Sequence, residues 1–251
     1  MHTLVSPGMS SAHRFAQRLL HVRPVDVLDE TVLVRRCAMY RKVFRLSTLN
    51  FPAAVLQSGV VAEWIRRHGV GVEACSVDEV DRALSRGVSA KQIVLHCGSG
   101  VDAASVHRAA GAGVLRFRIS AAEQLDALDS RSGARLVVDC ATAGWEGLAA
   151  AVVARPGVEL IGVHRHIARP DGVDGADAVI GMVAGLAALS RRHGMVLGQL
   201  SLSGVGFGSA DDIGATRLAA EVLYEVVGDG CALCRYPRPV LALSPAPEEL
   251  F

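Results

Sequence analysis

The stretch Val158–Pro170, VELIGVHRHIARP, decides how this chain is read. Val158 to Val163 has the length and aliphatic content of a strand buried on both faces, the kind found in parallel sheets covered by helices. The run leads directly into His164-Arg165-His166. Side chains alternate along a strand, so both histidines project to one side. Two imidazoles leaving the carboxyl end of a buried parallel strand mark a site, because α/β architectures place ligands at that end of the sheet.

Outward from this stretch the same unit recurs. Aliphatic runs lie at Leu49–Leu56, Val70–Cys75, Ile93–Cys97, Val114–Ile119, Leu136–Cys140, Val158–Ile167, Val196–Leu202 and Pro239–Leu243. Segments with helical spacing fall between them, at about 60–68, 78–86, 102–110, 121–128, 145–154, 173–193 and 209–227. Thr31–Phe44 adds an amphipathic helix at the start, with Asp29 as N-cap and Glu30 in its first turn. Ser76 with Glu79, and Ser120 with Glu123, have the capping-box form. Gly87 and Gly111 stand where a helix end favours a left-handed residue. Eight strand candidates alternating with helices in 251 residues suit a (βα)8 TIM barrel better than an open doubly wound sheet, since a barrel takes about 250 residues. The expected division is an N-terminal arm over residues 1–23 and one barrel domain over 24–251, opening with a short strand at Pro24–Asp29.

Composition narrows the function. Apolar residues make up 51% of the chain and aromatic residues 4%, so the core is aliphatic. The sequence reads as having no uninterrupted apolar run of the roughly 18 residues a membrane span requires. A net charge of +1 argues against a nucleic-acid surface. The N-terminus lacks the basic, apolar, small-residue order of a signal peptide, and a cytoplasmic location is expected. Cys75, Cys97 and Cys140 read as small buried thiols. Cys231-Ala-Leu-Cys234 is a single C-x-x-C and reads as a pair of surface-loop thiols.

The expected strand ends gather His96 and Cys97, Asp139 and Cys140, His164 and His166, Gly204–Gly208, and Ser244. Ser203-Gly-Val-Gly-Phe-Gly208 follows the seventh run. Its glycines allow backbone amides to approach a phosphate, the next helix start adds a favourable dipole, and barrels commonly bind phosphate at their seventh and eighth loops. In order and spacing, several segments resemble the fold-type III pyridoxal-phosphate decarboxylases, nearest to diaminopimelate decarboxylase, which carry an alanine-racemase-like barrel. The segments are Asp29 to Phe44, Val72-Glu-Ala-Cys-Ser76-Val-Asp-Glu79 with Arg82 to Gly87, Gln92 to His96, His164-Arg-His-Ile167, and Gly204–Gly208. Together they span residues from about 24 to 245.

The resemblance implies a lysine on the first barrel strand that forms a Schiff base with pyridoxal phosphate. Counting back from Gly69 puts that position at Ala54. Of 26 basic residues only Lys42 and Lys91 are lysines, and neither stands on that strand. Further departures are Ala168-Arg169 after the second histidine and Ser244-Pro-Ala-Pro247 in place of the carboxylate motif that serves the pyridine nitrogen. The family's C-terminal β-domain is not expected here. The resemblance makes His166 the residue that stacks on the pyridine ring. It makes Gly204, Gly206 and Gly208, with Arg169, the phosphate holders. The expected function is a decarboxylase-like barrel with impaired catalysis that binds pyridoxal phosphate, or another phosphorylated small molecule, without a covalent bond. One alternative is a metal-dependent hydrolase using His164 and His166, completed by His96 or Asp139. Another is a non-enzymatic partner, as a homodimer or paired with a full-length decarboxylase, with Pro237–Phe251 as a docking segment or a frayed end.

Overall fold

Eight parallel strands close into a barrel in strict sequence order, β1 through β8, each new strand pairing with the one before and β8 returning to β1. The computed structural model describes residues 29–98, 100–129, 132–169, 172–206 and 212–251. The N-terminal arm, most of the expected first strand at Pro24–Asp29, and Gly208 lie outside the described residues.

The strands are β1 Thr48–Pro52, β2 Gly71–Ala74, β3 Ile93–His96, β4 Arg116–Ile119, β5 Ala134–Asp139, β6 Val158–His166, β7 Gln199–Val205 and β8 Val240–Pro245. The helices are α1 Glu30–Val43, α2 Gly59–His68, α3 Val77–Ser85, α4 Ala103–Gly111, α5 Ala122–Asp126, α6 Trp145–Ala154, α7 Val173–His193 and α8 Ile213–Cys234. The TIM-barrel expectation holds, and the open sheet is excluded by closure of β8 on β1.

Local chemistry explains where elements begin and end. The Asp29 side chain accepts from Thr31 N and Ser76 Oγ accepts from Glu79 N, as N-caps do. Glu79 reaches back to the amide of Cys75 at 2.7 Å, which completes a variant of the capping box one residue early. The second expected box is replaced: Gln124, not Glu123, accepts from the amides of Ser120 and Ala121, because the helix starts one residue later. Gly87 is left-handed as expected, but Gly111 is still helical and Gly113 takes the positive φ of 89°.

Three elements differ from the sequence reading by three residues or more. The first strand stops at Pro52 and the chain turns through a 3-10 segment, Ala53–Gln57, since a proline brings a fixed φ and no donor for the ladder. The seventh strand runs three residues later than the aliphatic run Val196–Leu202 suggests, and includes Ser203 and Gly204. Helix α8 continues to Cys234, so Cys231 is buried and Cys234 half-buried in its last turns; these are not loop thiols. Cys97 is buried as expected, Cys140 half-buried, and Cys75 exposed.

One helix, α7, is long and apolar enough by length and composition to cross a membrane, with a mean hydropathy of 1.5 over its best window. This qualifies the expectation that no such run exists. Its Val179, Met182, Val183, Leu186 and Leu189 are buried, and the helix packs against β6 and α8. After β8 the chain folds back on α1. Arg36 donates to the carbonyls of Leu250 and Phe251 at 3.1 and 3.0 Å, and Leu250 is buried in the core. The last residues are held on α1 rather than frayed.

Outward faces of the strands supply the core. Phe51, Val72, Ile93, Leu95, Phe117, Ile119, Leu136, Val138, Leu200 and Leu202 belong to one buried apolar cluster with the helices. Each large aliphatic or aromatic side chain so removed from water contributes roughly 1.5–3 kcal/mol relative to exposure. The inward faces carry something else.

Candidate functional site

Parallel register puts paired residues on one face, and the pairings at the carboxyl half of the barrel are polar. Asp139 pairs with His164 and His164 with Ser201; His166 pairs with Ser203 and Ser203 with Ser244; His96 pairs with Arg118. That these side chains point inward follows from contacts across the barrel. Arg118 on β4 donates to Ser244 Oγ on the opposite strand β8 at 2.8 Å and pairs with Glu73 on β2 at 2.5 Å.

Two layers can be followed. In the deeper layer Arg118 is only 1% exposed, and Glu73 is 6% exposed. A buried guanidinium is tolerable only when paired and hydrogen-bonded. Burial alone would raise the Glu73 carboxyl, but the Arg118 charge and the hydrogen bonds from His96 and Ser244 override it and hold the group well below the usual carboxylate range. Glu73 also meets His96 Nδ1 at 3.1 Å. That contact engages one of the two ring nitrogens of His96.

His164 is fully buried, with Nδ1 at 3.2 Å from Ser201 Oγ and Nε2 at 3.3 Å from Ser203 Oγ. Burial, and then the positive fields of Arg118 and His96, push its imidazole well below the ordinary histidine value, so it is neutral. The His96 and His164 rings meet edge to face with centroids 5.0 Å apart. Asp139 lies half-buried at the end of β5 and is anchored through Oδ1 to the amide of Ala141 at 2.9 Å.

In the outer layer Ser203 Oγ also contacts His166 Nδ1 at 3.4 Å, so one hydroxyl bridges the two histidines. The same-side prediction for His164 and His166 is therefore correct, and His166 is the solvent-facing member. Its ring lies against Gly204, where a Cβ would come within 1.9 Å of Cε1; with φ at +68° the position demands glycine. Gly206 is less available than the sequence suggests. Its amide donates to the carbonyl of Ala168 at 2.9 Å, and a Cβ there would meet the Glu249 carboxylate at 2.7 Å. Arg169 follows β6 on the same rim and is exposed.

Ala54 sits in the 3-10 turn just beyond β1 and is half-buried. The residue registered opposite Glu73 is Pro52, and neither carries an amine. Lys42 is exposed in the last turn of α1, and Lys91 is exposed in the turn that precedes β3. Both lysines stand at the amino rim, on the opposite side from the histidines. The pair His164 and His166 is not a set of shared metal donors; the donor atoms that converge with His164 belong to His96 and Asp139, each within 4.8 Å of the others.

Sequence reasoning missed Glu73, Arg118, Ser201, Tyr40 and Glu249 as members of the site region. A signal existed for two of them: Glu73 and Arg118 are charged residues enclosed by Val72 and Ala74, and by Phe117 and Ile119, within buried runs. Tyr40, on α1, donates to Glu249 Oε2 at 3.4 Å, a contact between residues 209 positions apart that no local pattern announces.

The closed parallel barrel with its polar carboxyl mouth is a (βα)8 barrel of the TIM class. Residues 30–143 match the family model described as "Pyridoxal-dependent decarboxylase, pyridoxal binding domain". A diaminopimelate decarboxylase of Actinosynnema pretiosum subsp. auranticum is 26% identical over 265 residues, covering 88% of this chain and 57% of that protein. Among solved structures, the diaminopimelate decarboxylase of M. jannaschii in complex with L-lysine superposes with a TM-score of 0.69 at 13% identity, over 88% of this chain and 60% of the other. The lysine/ornithine decarboxylase of Vibrio vulnificus with putrescine gives a TM-score of 0.69 at 16% identity, over 95% and 68%. The chain spans just over half the length of the curated relative it matches. Residues 30–143 are thus similar to the pyridoxal-binding domain of these decarboxylases, and the barrel as a whole shares their fold.

The residues present do not fit the covalent form of the family's cofactor. An imine requires a primary amine at the carboxyl mouth, and both lysines of the chain stand at the amino rim.

Proposed function

We propose that this barrel does not decarboxylate amino acids through an imine of its own, and that its mouth holds pyridoxal phosphate or another phosphorylated small molecule without a covalent bond. The observation that carries the reading is the position of the two lysines at the wrong end of the barrel. Three groups on the right rim support noncovalent binding: the solvent-facing ring of His166, the left-handed Gly204 beneath it, and the Arg169 guanidinium. Glu249 opposes it, because its carboxylate lies against Gly206. A phosphate and that carboxylate compete for one turn, so anion binding requires Glu249 to swing away.

The test is an absorbance titration of the purified protein with pyridoxal phosphate. The expected result is a weak saturable change that tightens by about tenfold in Glu249→Gln and is lost in His166→Ala. A titration without saturation in both parent and Glu249→Gln would refute noncovalent binding, and turnover of diaminopimelate, lysine, ornithine or arginine would refute impaired catalysis.

A further inference from the structure

Beneath the mouth, three strands bring together donors that the phosphate reading does not use. His96 on β3, Asp139 on β5 and His164 on β6 place one ligand atom each within 4.8 Å of the other two. We propose that these three residues form a mononuclear site for a divalent cation of the zinc class, with Glu73 as the outer carboxylate that orients His96 and one coordination position left toward the mouth.

Four observations lead there. First, the donor set is right: two imidazoles and a carboxylate suit zinc, cobalt or nickel, whereas magnesium and calcium prefer all-oxygen sets. Second, His96 is held as metal-binding histidines are held. Its Nδ1 contacts the Glu73 carboxylate at 3.1 Å, the arrangement in which an outer carboxylate fixes the tautomer so that Nε2 can ligate. Third, His164 is fully buried with Ser201 and Ser203 on its two ring nitrogens, so ligation exchanges one serine contact for the cation while the other nitrogen keeps its hydroxyl partner. Fourth, the set contains an anionic donor: Glu73 and Arg118 pair with each other, and the Asp139 carboxylate is left to offset a cation's charge against the nearby guanidinium.

The spacing is that of an open site. Donors on one tetrahedral zinc lie about 3.3 Å apart, given bonds of about 2.0 Å. Closing from 4.8 Å or less requires side-chain adjustments of about 1 Å, within reach of Asp139 at its strand end. Three protein ligands with a vacant fourth position characterise zinc sites that bind water or substrate rather than purely structural ones.

A rival set shares His96 with Glu73 and Cys75. It is disfavoured because a cation there takes Glu73 from Arg118 and leaves a guanidinium that is 1% exposed without its anion. The site is independent of any phosphorylated ligand and of the lysine argument, so its failure would leave the proposed function standing.

The experiment titrates cobalt(II), as the probe, into chelator-stripped full-length protein and follows the visible absorbance of low-coordinate cobalt. The expected result is a band that saturates at one equivalent per chain. Asp139→Asn and His96→Gln should weaken binding by more than the roughly ten- to hundredfold typical of losing an outer-shell partner. Cys75→Ser should leave it unchanged. Asp139→Asn is nearly isosteric at a half-buried rim position, and unchanged thermal unfolding in chelator will show that the variant is folded. No saturable band, or a band indifferent to both ligand variants, overturns the proposal. Loss of the band in Cys75→Ser also overturns it, by moving the cation to the rival set.

Discussion

Outside the barrel wall, Phe51, Leu95, Phe117 and Leu200 pack against helices in a continuous apolar layer; inside it, Glu73, His96, Arg118, His164 and Ser244 contact one another. The same strands serve both layers, because successive residues face opposite ways. Outside, size and hydrophobicity decide stability, and many sequences would serve. Inside, each polar group is tolerable only because a partner satisfies it. A barrel interior can be filled with branched aliphatic side chains. Filling it with an ion pair, two imidazoles and three serines gains little stability and supplies a site.

The sharpest break in this comparison is Arg118→Met. It leaves Glu73 as an uncompensated buried charge, and chemical denaturation should show a loss of about 3–5 kcal/mol. The double substitution Arg118→Met with Glu73→Leu should recover most of that loss, because an apolar replacement of both partners needs no desolvated charge. Recovery would show that the inner layer is kept for its chemistry; a double variant no better than the single would show that it carries the fold.

A second effect follows from His164. Its folded pKa lies below the unfolded value of about 6.5. At high pH both states are neutral there, and as pH falls below about 6.5 the unfolded state takes up the proton first. Stability measured in chelator should therefore fall with decreasing pH, by at most about 1.4 kcal/mol per pH unit for this group. Glu73 adds to the slope only below the ordinary carboxylate range, about 4.5, where the unfolded carboxyl protonates and the folded one does not. His164→Gln should flatten the slope near pH 6 and leave the acid limb in place.

The smallest expected effect lies outside the wall, in the helix caps. Ser76→Ala removes the acceptor for Glu79 N and should cost about 1 kcal/mol in thermal or chemical unfolding, with no change in ligand or metal binding. An equal effect on the site would mean that the two layers are not separable.

The outer layer was the legible one. Aliphatic runs such as Val158–Val163 and caps such as Asp29 and Ser76 are local patterns, and the alternation of runs and helices counts out the barrel before any contact is known. Boundaries failed where local chemistry overrode hydropathy, at Pro52 and at the late start of β7. In the site, the strand periodicity correctly put His164 and His166 on one side. It could not say that Arg118 reaches Ser244 across 126 positions, or that Glu249 returns to Gly206, because those contacts depend on closure of the barrel and the path of the final turn. The companions of His164 were legible from strand-end positions, which named His96 and Asp139; the register and the ring contact bring both near it, while His166 stands apart from that donor set.

The central claim is that the carboxyl mouth holds no amine able to form an imine. The direct measurement is peptide-resolved mass spectrometry after equimolar pyridoxal phosphate and borohydride. The account predicts that the parent protein carries no modification between Thr48 and Gln57 or elsewhere at the mouth, with any trace adduct confined to Lys42, Lys91 or the amino terminus. A stoichiometric reduced adduct accompanied by amino-acid decarboxylation would contradict it, and would mean that a lysine from the amino rim reaches the site.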